Sequence, residues 1–242
     1  MQRSVALILA GGVGSRMNLS VPKQFVEIDG HSVLQYTMMA FQQHQLVSAI
    51  YVVASPQWEQ VVRQQAQNAG IRKFAGCFHA GDNSFLSARN GIMGLKDAKE
   101  TADTVVLIHD AVRPLISQDI ISRNIAVCLS RGNAITALPS QESFLVVHKQ
   151  DTPPHEMVSS EYIPREQLLR AQTPHTFFLR ELLEMMDEAQ ARGLLYSQSV
   201  FTLANELGHV PLHMADGEQT NFKLTLPSDF TLLRAILHET EE

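Results

Sequence analysis

Short apolar runs alternate along the chain with stretches of helical spacing. The runs are 5–9, 50–54, 104–108 and 134–138, and the helical stretches are 32–44, 57–69, 117–131, 179–192, 200–207 and 229–238. Continuous apolar runs of this length are typical of strands that are covered on both faces of a parallel sheet. Strands that alternate with helices predict βαβ units with right-handed crossovers. The sequence therefore predicts an α/β fold with a mainly parallel sheet.

The alternation is interrupted between residues 143 and 165. Residues 144–148 are typical of a strand, residues 151–154 (Asp-Thr-Pro-Pro) of a turn, and residues 156–163 of a returning strand. This order predicts a β-hairpin. Because an isolated two-stranded hairpin is only marginally stable in water, we expect it to pack on another surface, such as a second subunit.

Composition narrows the class of protein. The chain has 242 residues, 45% hydrophobic and 18% charged, which suits one large domain of a globular enzyme. The net charge of −6 argues against a general binder of nucleic acid or of anionic membranes. Cys77 and Cys128 show neither metal-ligand spacing nor a disulfide framework, and we expect a reducing cytoplasm. No apolar segment approaches the roughly 20 residues that cross a bilayer.

A glycine-rich segment directly follows the first predicted strand. Residues 9–17 read Leu-Ala-Gly-Gly-Val-Gly-Ser-Arg-Met, and a Pro-Lys pair follows at 22–23. In an open α/β sheet this position is where ligands bind. Glycines there let backbone N–H groups approach an anion, and the basic side chains add positive charge. The residues concerned are Gly11, Gly12, Gly14, Arg16 and Lys23. The alternative, glycines that only terminate a strand, is disfavoured by the basic residues beside them.

A second polar segment, His-Asp-Ala-Val-Arg-Pro at 109–114, follows the strand predicted at 104–108. Asp110 should emerge at the same sheet edge as the glycine loop. A carboxylate there can hold Mg²⁺ on the phosphates of a nucleotide, and Arg113 could contact a second phosphate. His109 is expected to orient the loop that carries Asp110. For Asp110 alone, a helix N-cap or turn remains the alternative.

Five segments occur in a fixed order: 9–17, 22–25 (Pro-Lys-Gln-Phe), 109–114, 172–174 (Gln-Thr-Pro), and 221–225 (Asn-Phe-Lys-Leu-Thr) with Pro227 and Asp229. Together they resemble the cytidylyltransferases of polyol phosphates, which act on methylerythritol phosphate or ribitol phosphate. The resemblance runs almost end to end. It implies a single Rossmann-like nucleotidyltransferase domain over 1–242, with 143–163 as a protruding β-hairpin arm that forms a homodimer.

The resemblance also implies a role for each matching position. The implied catalytic residues are Arg16, Lys23, Arg165 and Lys223. Arg16 and Lys23 would bind the triphosphate and stabilise charge on the α-phosphoryl group and the departing pyrophosphate, and Arg165 would reach the acceptor phosphate in the neighbouring subunit's site. Asp110 would bind Mg²⁺. Lys223 would act beside the acceptor phosphate. The implied nucleotide-binding residues are Ala10, Gly11, Gly12, Gly14, Gly81, Asp82 and Ser87, and the implied substrate-binding residues are Arg113, Thr173 and Thr220.

The implied reaction uses CTP and Mg²⁺ to convert methylerythritol 4-phosphate or ribitol 5-phosphate to a CDP-polyol, with release of pyrophosphate. Ser84 and Leu86 stand where the family usually has an arginine and an acid, and Arg89 could compensate in part. Two alternatives stay open: a sugar-phosphate nucleotidyltransferase that uses UTP or another triphosphate, and a catalytically idle homologue that binds nucleotide. The retained basic residues and Asp110 favour an enzyme.

Overall fold

The computed structural model describes residues 2–12, 21–147, 153, 156–159 and 161–239. The strands are β1 (Ser4–Leu9), β2 (Glu27–Ile28), β3 (His31–Ser32), β4 (Val47–Ala54), β5 (Phe74–His79), β6 (Val105–Asp110), β7 (Asn133–Pro139), β8 (Phe144–Val146), β9 (Glu161–Ile163), β10 (Leu169–Phe178) and β11 (Met214–Asp216). The α-helices are α1 (Val33–Gln43), α2 (Glu59–Asn68), α3 (Ser84–Asp97), α4 (Gln118–Arg131), α5 (Leu179–Arg192), α6 (Val200–Leu207) and α7 (Pro227–Glu239).

Seven strands form the central sheet in the order β11-β7-β10-β6-β1-β4-β5. All neighbours are parallel except β10, which runs antiparallel to both β6 and β7. The prediction of a mainly parallel sheet is confirmed. The long strand β10 was not predicted, because its polar residues and Pro174 do not resemble a buried strand. The proline is tolerated where the β7–β10 register shifts, between Ala171 and His175.

Alternate side chains of the sheet pack on two helical layers. Ala6 and Ile8 of β1 belong to a buried cluster with α1, α2 and α4, whereas Val5 and Leu7 belong to one with α3, α5 and α6. A third, smaller cluster joins Leu233 of α7 to the region around β2. The strands are therefore covered on both faces, as their continuous apolar runs predict.

Four of the α-helices begin at side chains that satisfy their free backbone N–H groups. Ser32 and Gln35 form a reciprocal capping box at α1, and Asn83, Ser117 and Ser199 accept hydrogen bonds from the first turns of α3, α4 and α6. Such caps are strongly favoured at these positions and fix where each helix starts. Among the described residues, no helix combines the length and apolarity needed to cross a membrane.

The described part of the hairpin confirms the predicted strand pair. β8 and β9 are antiparallel, with Phe144 opposite Ile163. Apolar side chains along this arm are exposed, including Leu145 at 72% and Tyr162 at 73%. A hairpin of three-residue strands that exposes such side chains has little packing of its own.

Candidate active site

A cavity of about 800 Å³ opens where the carboxyl ends of β1 and β6 meet. Leu9 is paired with Asp110 in the β1–β6 register, so the glycine loop and the carboxylate leave the sheet side by side. Most of the residues singled out from the sequence line this cavity, namely Ala10, Gly11, Gly12, Lys23, Gly81, Asp82, Ser87, Asp110, Arg113, Thr173 and Lys223. The expectation that both polar segments meet at one sheet edge is confirmed.

Four of the predicted site residues are not placed in this cavity. Gly14 and Arg16 lie outside the described residues. Arg165 is exposed and pairs with Glu166, so its role in a neighbouring subunit stays a prediction. Thr220 is exposed and lies outside the cavity lining, and its role in substrate binding stays a prediction that its position does not support.

Asp110 is the centre of the charge cluster. Its Oδ2 is 3.2 Å from Arg113 Nε and 3.2 Å from Lys223 Nζ. Burial alone would raise the pKa of Asp110, but the charges of Lys223 and Arg113 outweigh burial and hold this pKa well below its usual range. Asp110 is the last residue of β6 and not a helix cap. It is therefore an ionised carboxylate at the cavity wall.

The segment at 221–224 ties the basic residues to the sheet. Arg113 Nη1 donates to the carbonyl of Asn221 at 2.8 Å, and Lys23 Nζ donates to the carbonyl of Leu224 at 2.7 Å. Buried Asn221 in turn donates through Nδ2 to the carbonyl of Thr173 at 2.9 Å. These bonds explain why residues far apart in sequence converge on one side of the cavity.

The side chain of Gln24 supports the glycine loop. The sequence did not predict this role. Its buried side chain donates through Nε2 to the carbonyls of Ala10 at 2.7 Å and Gly12 at 2.9 Å. The neighbouring Lys23 begins a 3₁₀ turn after Pro22, and both side chains line the cavity. The position of Gln24 between Lys23 and a buried Phe25 is the signal that could have identified it.

At two positions close packing leaves no room for a side chain, so glycine is required. A Cβ at Gly81 would lie 2.4 Å from Leu86 Cβ, and one at Gly11 would lie 2.6 Å from Ala80 Cβ. Ser87 closes the same turn, because its Oγ accepts from the N–H of Gly81 at 3.1 Å and donates to the Gly81 carbonyl at 3.2 Å. The Gly81 loop therefore lies against the first turn of α3, and its backbone forms part of the cavity wall.

Two helix N-termini supply a polar wall that the sequence did not assign. Its side chains are Asn83, Ser84, Gln198 and Ser199, at the starts of α3 and α6. Helix N-termini carry partial positive charge, which favours anionic ligands. Arg89, which was expected to compensate for Ser84, instead donates to Gln190 at 2.7 Å and does not line the cavity.

Two histidines lie buried at the base of the site. His109 donates through Nε2 to the carbonyl of Arg113 at 3.1 Å, and burial lowers its pKa to about 4. His175 lines the cavity against Phe201, with ring centroids 5.1 Å apart, and burial likewise lowers its pKa to about 4. Both rings are therefore neutral near pH 7. The contact with Arg113 agrees with the expectation that His109 orients the Asp110 loop.

The side chains near Asp110 limit the kind of metal ion that the cavity could hold. The described residues contain no group of three or more histidine, cysteine or acidic side chains that could hold an ion. A cation at Asp110 would need to take most of its ligands from phosphate oxygens and water. Mg²⁺ is commonly bound in this way, by one or two carboxylates and the phosphates of a substrate.

The chain is similar to known proteins over nearly its whole length. Residues 4–239 match the family model described as IspD, 2-C-methyl-D-erythritol 4-phosphate cytidylyltransferase. A ribitol-5-phosphate cytidylyltransferase of Lacticaseibacillus paracasei is 34% identical over 98% of each chain. A 2-C-methyl-D-erythritol 4-phosphate cytidylyltransferase of Rubrobacter xylanophilus is 35% identical, covering 100% of this chain and 97% of that protein.

Solved structures agree on the fold. The 2-C-methyl-D-erythritol 4-phosphate cytidylyltransferase of Thermus thermophilus superposes with a TM-score of 0.73 at 26% identity, covering 98% of this chain and 100% of that one. The 4-diphosphocytidyl-2C-methyl-D-erythritol synthase of Anaerococcus prevotii gives a TM-score of 0.80 at 21% identity, covering 98% and 96%. The chain therefore belongs to the 2-C-methyl-D-erythritol 4-phosphate cytidylyltransferase family, and it is a nucleotidyltransferase.

Proposed function

We propose that the protein transfers the cytidylyl group of CTP to a small polyol phosphate and releases pyrophosphate. One observation carries the proposal: Lys23, Arg113 and Lys223 converge with ionised Asp110 in a single cavity beside the glycine loop. Such an arrangement suits a reaction whose two substrates both present phosphates.

The chemistry follows from the charges. An oxygen of the acceptor phosphate forms a bond to the α-phosphorus of CTP, while the bond from that phosphorus to the bridging oxygen of pyrophosphate breaks and its electron pair leaves with pyrophosphate. The reaction needs no covalent enzyme intermediate. Positioning and electrostatic stabilisation are then the main tasks of the protein. Lys23 would hold the triphosphate beside the glycine loop, and Arg113 with Lys223 would hold the acceptor phosphate.

Asp110 would hold Mg²⁺ in this proposal. When bound, the ion would neutralise charge on the phosphate oxygens. Asp110 Oδ2 pairs with both Arg113 and Lys223, so the carboxylate that would hold the ion also orients these two cations. Arg16 would add a further cation to the triphosphate, as its position in the glycine loop suggests.

Ribitol 5-phosphate is the first candidate for the acceptor. Relatives that carry this name are 34% and 35% identical to the chain over nearly its full length. The start of α6 bears an amide and a hydroxyl in the cavity lining, with Gln198 exposed to the cavity, which suits the hydroxyl groups of a polyol. Methylerythritol 4-phosphate is the second candidate, since a relative named for it is 35% identical.

Pyrophosphate release tests the proposal directly. The purified protein with Mg²⁺ is incubated with CTP, UTP, ATP or GTP against ribitol 5-phosphate, methylerythritol 4-phosphate, glycerol phosphate and common sugar phosphates. We expect turnover with CTP and one of the first two acceptors. Turnover with UTP alone would replace cytidylyl transfer by the sugar-phosphate alternative, and no turnover in any pair would refute an active enzyme.

We further propose that the arm forms a homodimer and carries Arg165 into the partner's site. The exposed apolar side chains of the arm support the first part, and the second rests on Arg165 lying next to the arm and outside the cavity of its own chain. Mixing an Arg165→Ala chain with an Asp110→Asn chain tests both. Random exchange would give heterodimers with one intact site, and so about one quarter of the wild-type activity.

Each variant alone should have little activity, and this sets the baseline for the mixture. A mixture that stays as inactive as its components would refute the exchange of Arg165 between subunits. Light scattering of the wild-type protein serves as an independent check, because a monomer at the assay concentration would refute the dimer.

A further inference from the structure

The side chain of Gln172 joins β10 to the turn at 218–221. Gln172 is buried, and its Nε2 donates to the carbonyl of Glu218 at 2.8 Å. Its Oε1 accepts from the backbone N–H of Glu218 and from Asn221 Nδ2, both at 3.3 Å. A carboxamide offers two N–H donors and two acceptor lone pairs. Three of these four positions are therefore used on one turn that is distant in sequence.

Gln172 holds the backbone of this turn as well as one of its side chains. The N–H of Asn221 donates at 3.1 Å to the Glu218 carbonyl, the same oxygen that accepts from Gln172. Just before the turn, the N–H of Gly217 donates to the Ala137 carbonyl at 2.8 Å. A buried carboxamide that bonds both the N–H and the carbonyl of Glu218 fixes the direction in which the chain leaves β11, and its loss would leave buried polar groups unpaired.

The glycine before the turn is required for this contact. A Cβ at Gly217 would lie 2.4 Å from Gln172 Oε1 and 3.2 Å from Thr136 Cγ2. Gln172 Oε1 is the far end of a side chain, but it could move away only by giving up its bonds to Glu218 and Asn221. Gly217 therefore makes room for the carboxamide where it reaches the turn.

The turn places two cations of the active site. Arg113 Nη1 donates to the carbonyl of Asn221 at 2.8 Å. Lys223 follows the turn after Phe222, and its Nζ lies 3.2 Å from Asp110 Oδ2. Arg113 and Lys223 are the side chains that the proposed function assigns to the acceptor phosphate. A shift of the turn would therefore move both of them relative to Asp110.

Lys23, the cation assigned to the triphosphate, is held separately. Its Nζ donates to the carbonyl of Leu224 at 2.7 Å. Leu224 is fully buried in the cluster that includes Leu233, and its N–H donates to the Val112 carbonyl at 2.9 Å. Leu224, and with it Lys23, therefore has anchors of its own beyond the turn.

We propose that Gln172 is a positioning residue: its buried carboxamide holds the turn at 218–221 against β10 and thereby sets the positions of Arg113 and Lys223 for the acceptor phosphate. The roles of these two cations rest on the proposed function. Loss of the carboxamide should weaken the acceptor site and leave the CTP site in place.

Amide hydrogen exchange, measured by mass spectrometry, tests the hold on the turn without any turnover. Gln172→Met replaces the carboxamide by an apolar side chain of similar length. The backbone amides at 217–223 should then exchange about 5- to 10-fold faster than in the wild type, because the turn loses hydrogen bonds that oppose its local opening. Unchanged exchange at 217–223 would overturn the proposal.

Kinetics of the same variant test the consequence for the two substrates. We expect kcat/KM for the acceptor to fall by about 10- to 100-fold with a raised acceptor KM, because small displacements of positioning groups have effects of this size. The KM for CTP should stay within about twofold, since Lys23 is held through Leu224. An unchanged acceptor KM, or a CTP KM raised as much as the acceptor KM, would overturn the proposal.

Gln35→Met is the matched control. Gln35 is also a buried glutamine, its Nε2 donates to the Gln65 carbonyl at 3.1 Å, and its Oε1 accepts from the N–H of Ser32 at 2.7 Å. It lies outside the cavity lining. Both KM values and the exchange at 217–223 should match the wild type. If Gln35→Met raised the acceptor KM as much as Gln172→Met, a general loss of stability would explain the effect and the proposal would fail.

Gly217→Ala perturbs the same contact from the other side. Its new Cβ would displace the carboxamide of Gln172, so the variant should reproduce the faster exchange and the raised acceptor KM. It decides the proposal if Gln172→Met does not fold, and wild-type exchange and acceptor KM in Gly217→Ala would overturn it. If the wild type turned over no acceptor, the proposed function would fail, and the exchange at 217–223 would still show whether Gln172 holds the turn.

Discussion

Replacing Asp110 by asparagine is the sharpest perturbation of the site, because it removes one charge and leaves the shape of the side chain almost unchanged. In the wild type, Asp110 Oδ2 is 3.2 Å from both Arg113 Nε and Lys223 Nζ. The variant leaves two cations facing each other without the carboxylate between them. We therefore expect both lower activity and lower stability.

The loss in the free energy of unfolding of Asp110→Asn follows from the ion-pair distances. At 3.2 Å the gross attraction between Asp110 and Arg113 is about 5 kcal/mol with an effective dielectric constant near 20. Desolvation offsets much of this, yet removing one partner of a buried pair costs about 3 to 5 kcal/mol, because the other charge is left buried. Arg113 is 11% exposed and keeps its bond to the Asn221 carbonyl, whereas Lys223 is 43% exposed and screened by water. We expect a loss of about 3 kcal/mol in the free energy of unfolding, at the lower end of this range.

The pH dependence gives a second signature of the same charge. The pKa of Asp110 is held below its ordinary value in the folded protein, so the unfolded chain takes up its proton first as the pH falls. The stabilisation from Asp110 is then fully present above about pH 4 and is lost as the pH drops further toward the folded pKa. Asp110→Asn should lack this component of the acid-induced loss of stability.

Two assays measure these effects. Urea unfolding at pH 7 and at several lower pH values gives the free energies, and pyrophosphate release over a range of Mg²⁺ concentrations gives the activity. We expect kcat/KM to fall by about 10²-fold or more, as when one preorganised charge is removed. Wild-type activity of Asp110→Asn at moderate Mg²⁺ would refute the role of this carboxylate, and an unchanged free energy of unfolding would refute the ion-pair argument.

Three further predictions follow from contacts around the site. Gly81→Ala should lower stability by about 1 to 3 kcal/mol in urea unfolding, because its new Cβ would overlap Leu86; equal stability would show that α3 can move aside. Gln24→Ala should raise the KM for CTP with less effect on the acceptor KM, since the bonds that hold the glycine loop are lost; a change confined to the acceptor would contradict this. The pair Leu145→Asp and Tyr162→Asp should shift the protein toward monomer in sedimentation, since both side chains are exposed on the arm, and an unchanged mass would contradict the arm as an interface.

The sequence predicted the parts of the fold that depend on local pattern. Continuous apolar runs identified β1, β4, β6 and β7, and helical spacing placed α6 at 200–207, where the structure has it. β10 and β11 were missed for a physical reason. β10 has a proline and several polar residues that are satisfied by distant partners, such as Thr176 with Asn124, and β11 has only three residues.

The same distinction applies to the site. Asp110 and Lys23 could be identified because each follows directly on a recognisable local feature, a strand end or a proline turn. Local pattern alone does not place Gln198 and Ser199 at the cavity, because the tertiary fold brings the start of α6 there. Hydrogen-bond partners are also invisible in sequence, so the resemblance alone could not show that Thr173 Oγ1 lies 3.1 Å from His109 Nδ1.

The side chains that line the cavity differ in how strongly they are bonded to the rest of the chain. Hydrogen bonds join Asp110, Arg113 and Thr173 to one another and to His109 and Asn221, so a change at any of them disturbs the others. Ser84 and Gln198 line the same cavity but are exposed, and neither makes a side-chain hydrogen bond within the described part of the chain. Substitutions at these two positions should therefore change stability by less than about 0.5 kcal/mol, as is usual for surface sites. Substitutions at the starts of α3 and α6 should therefore leave the charge cluster on β6 intact.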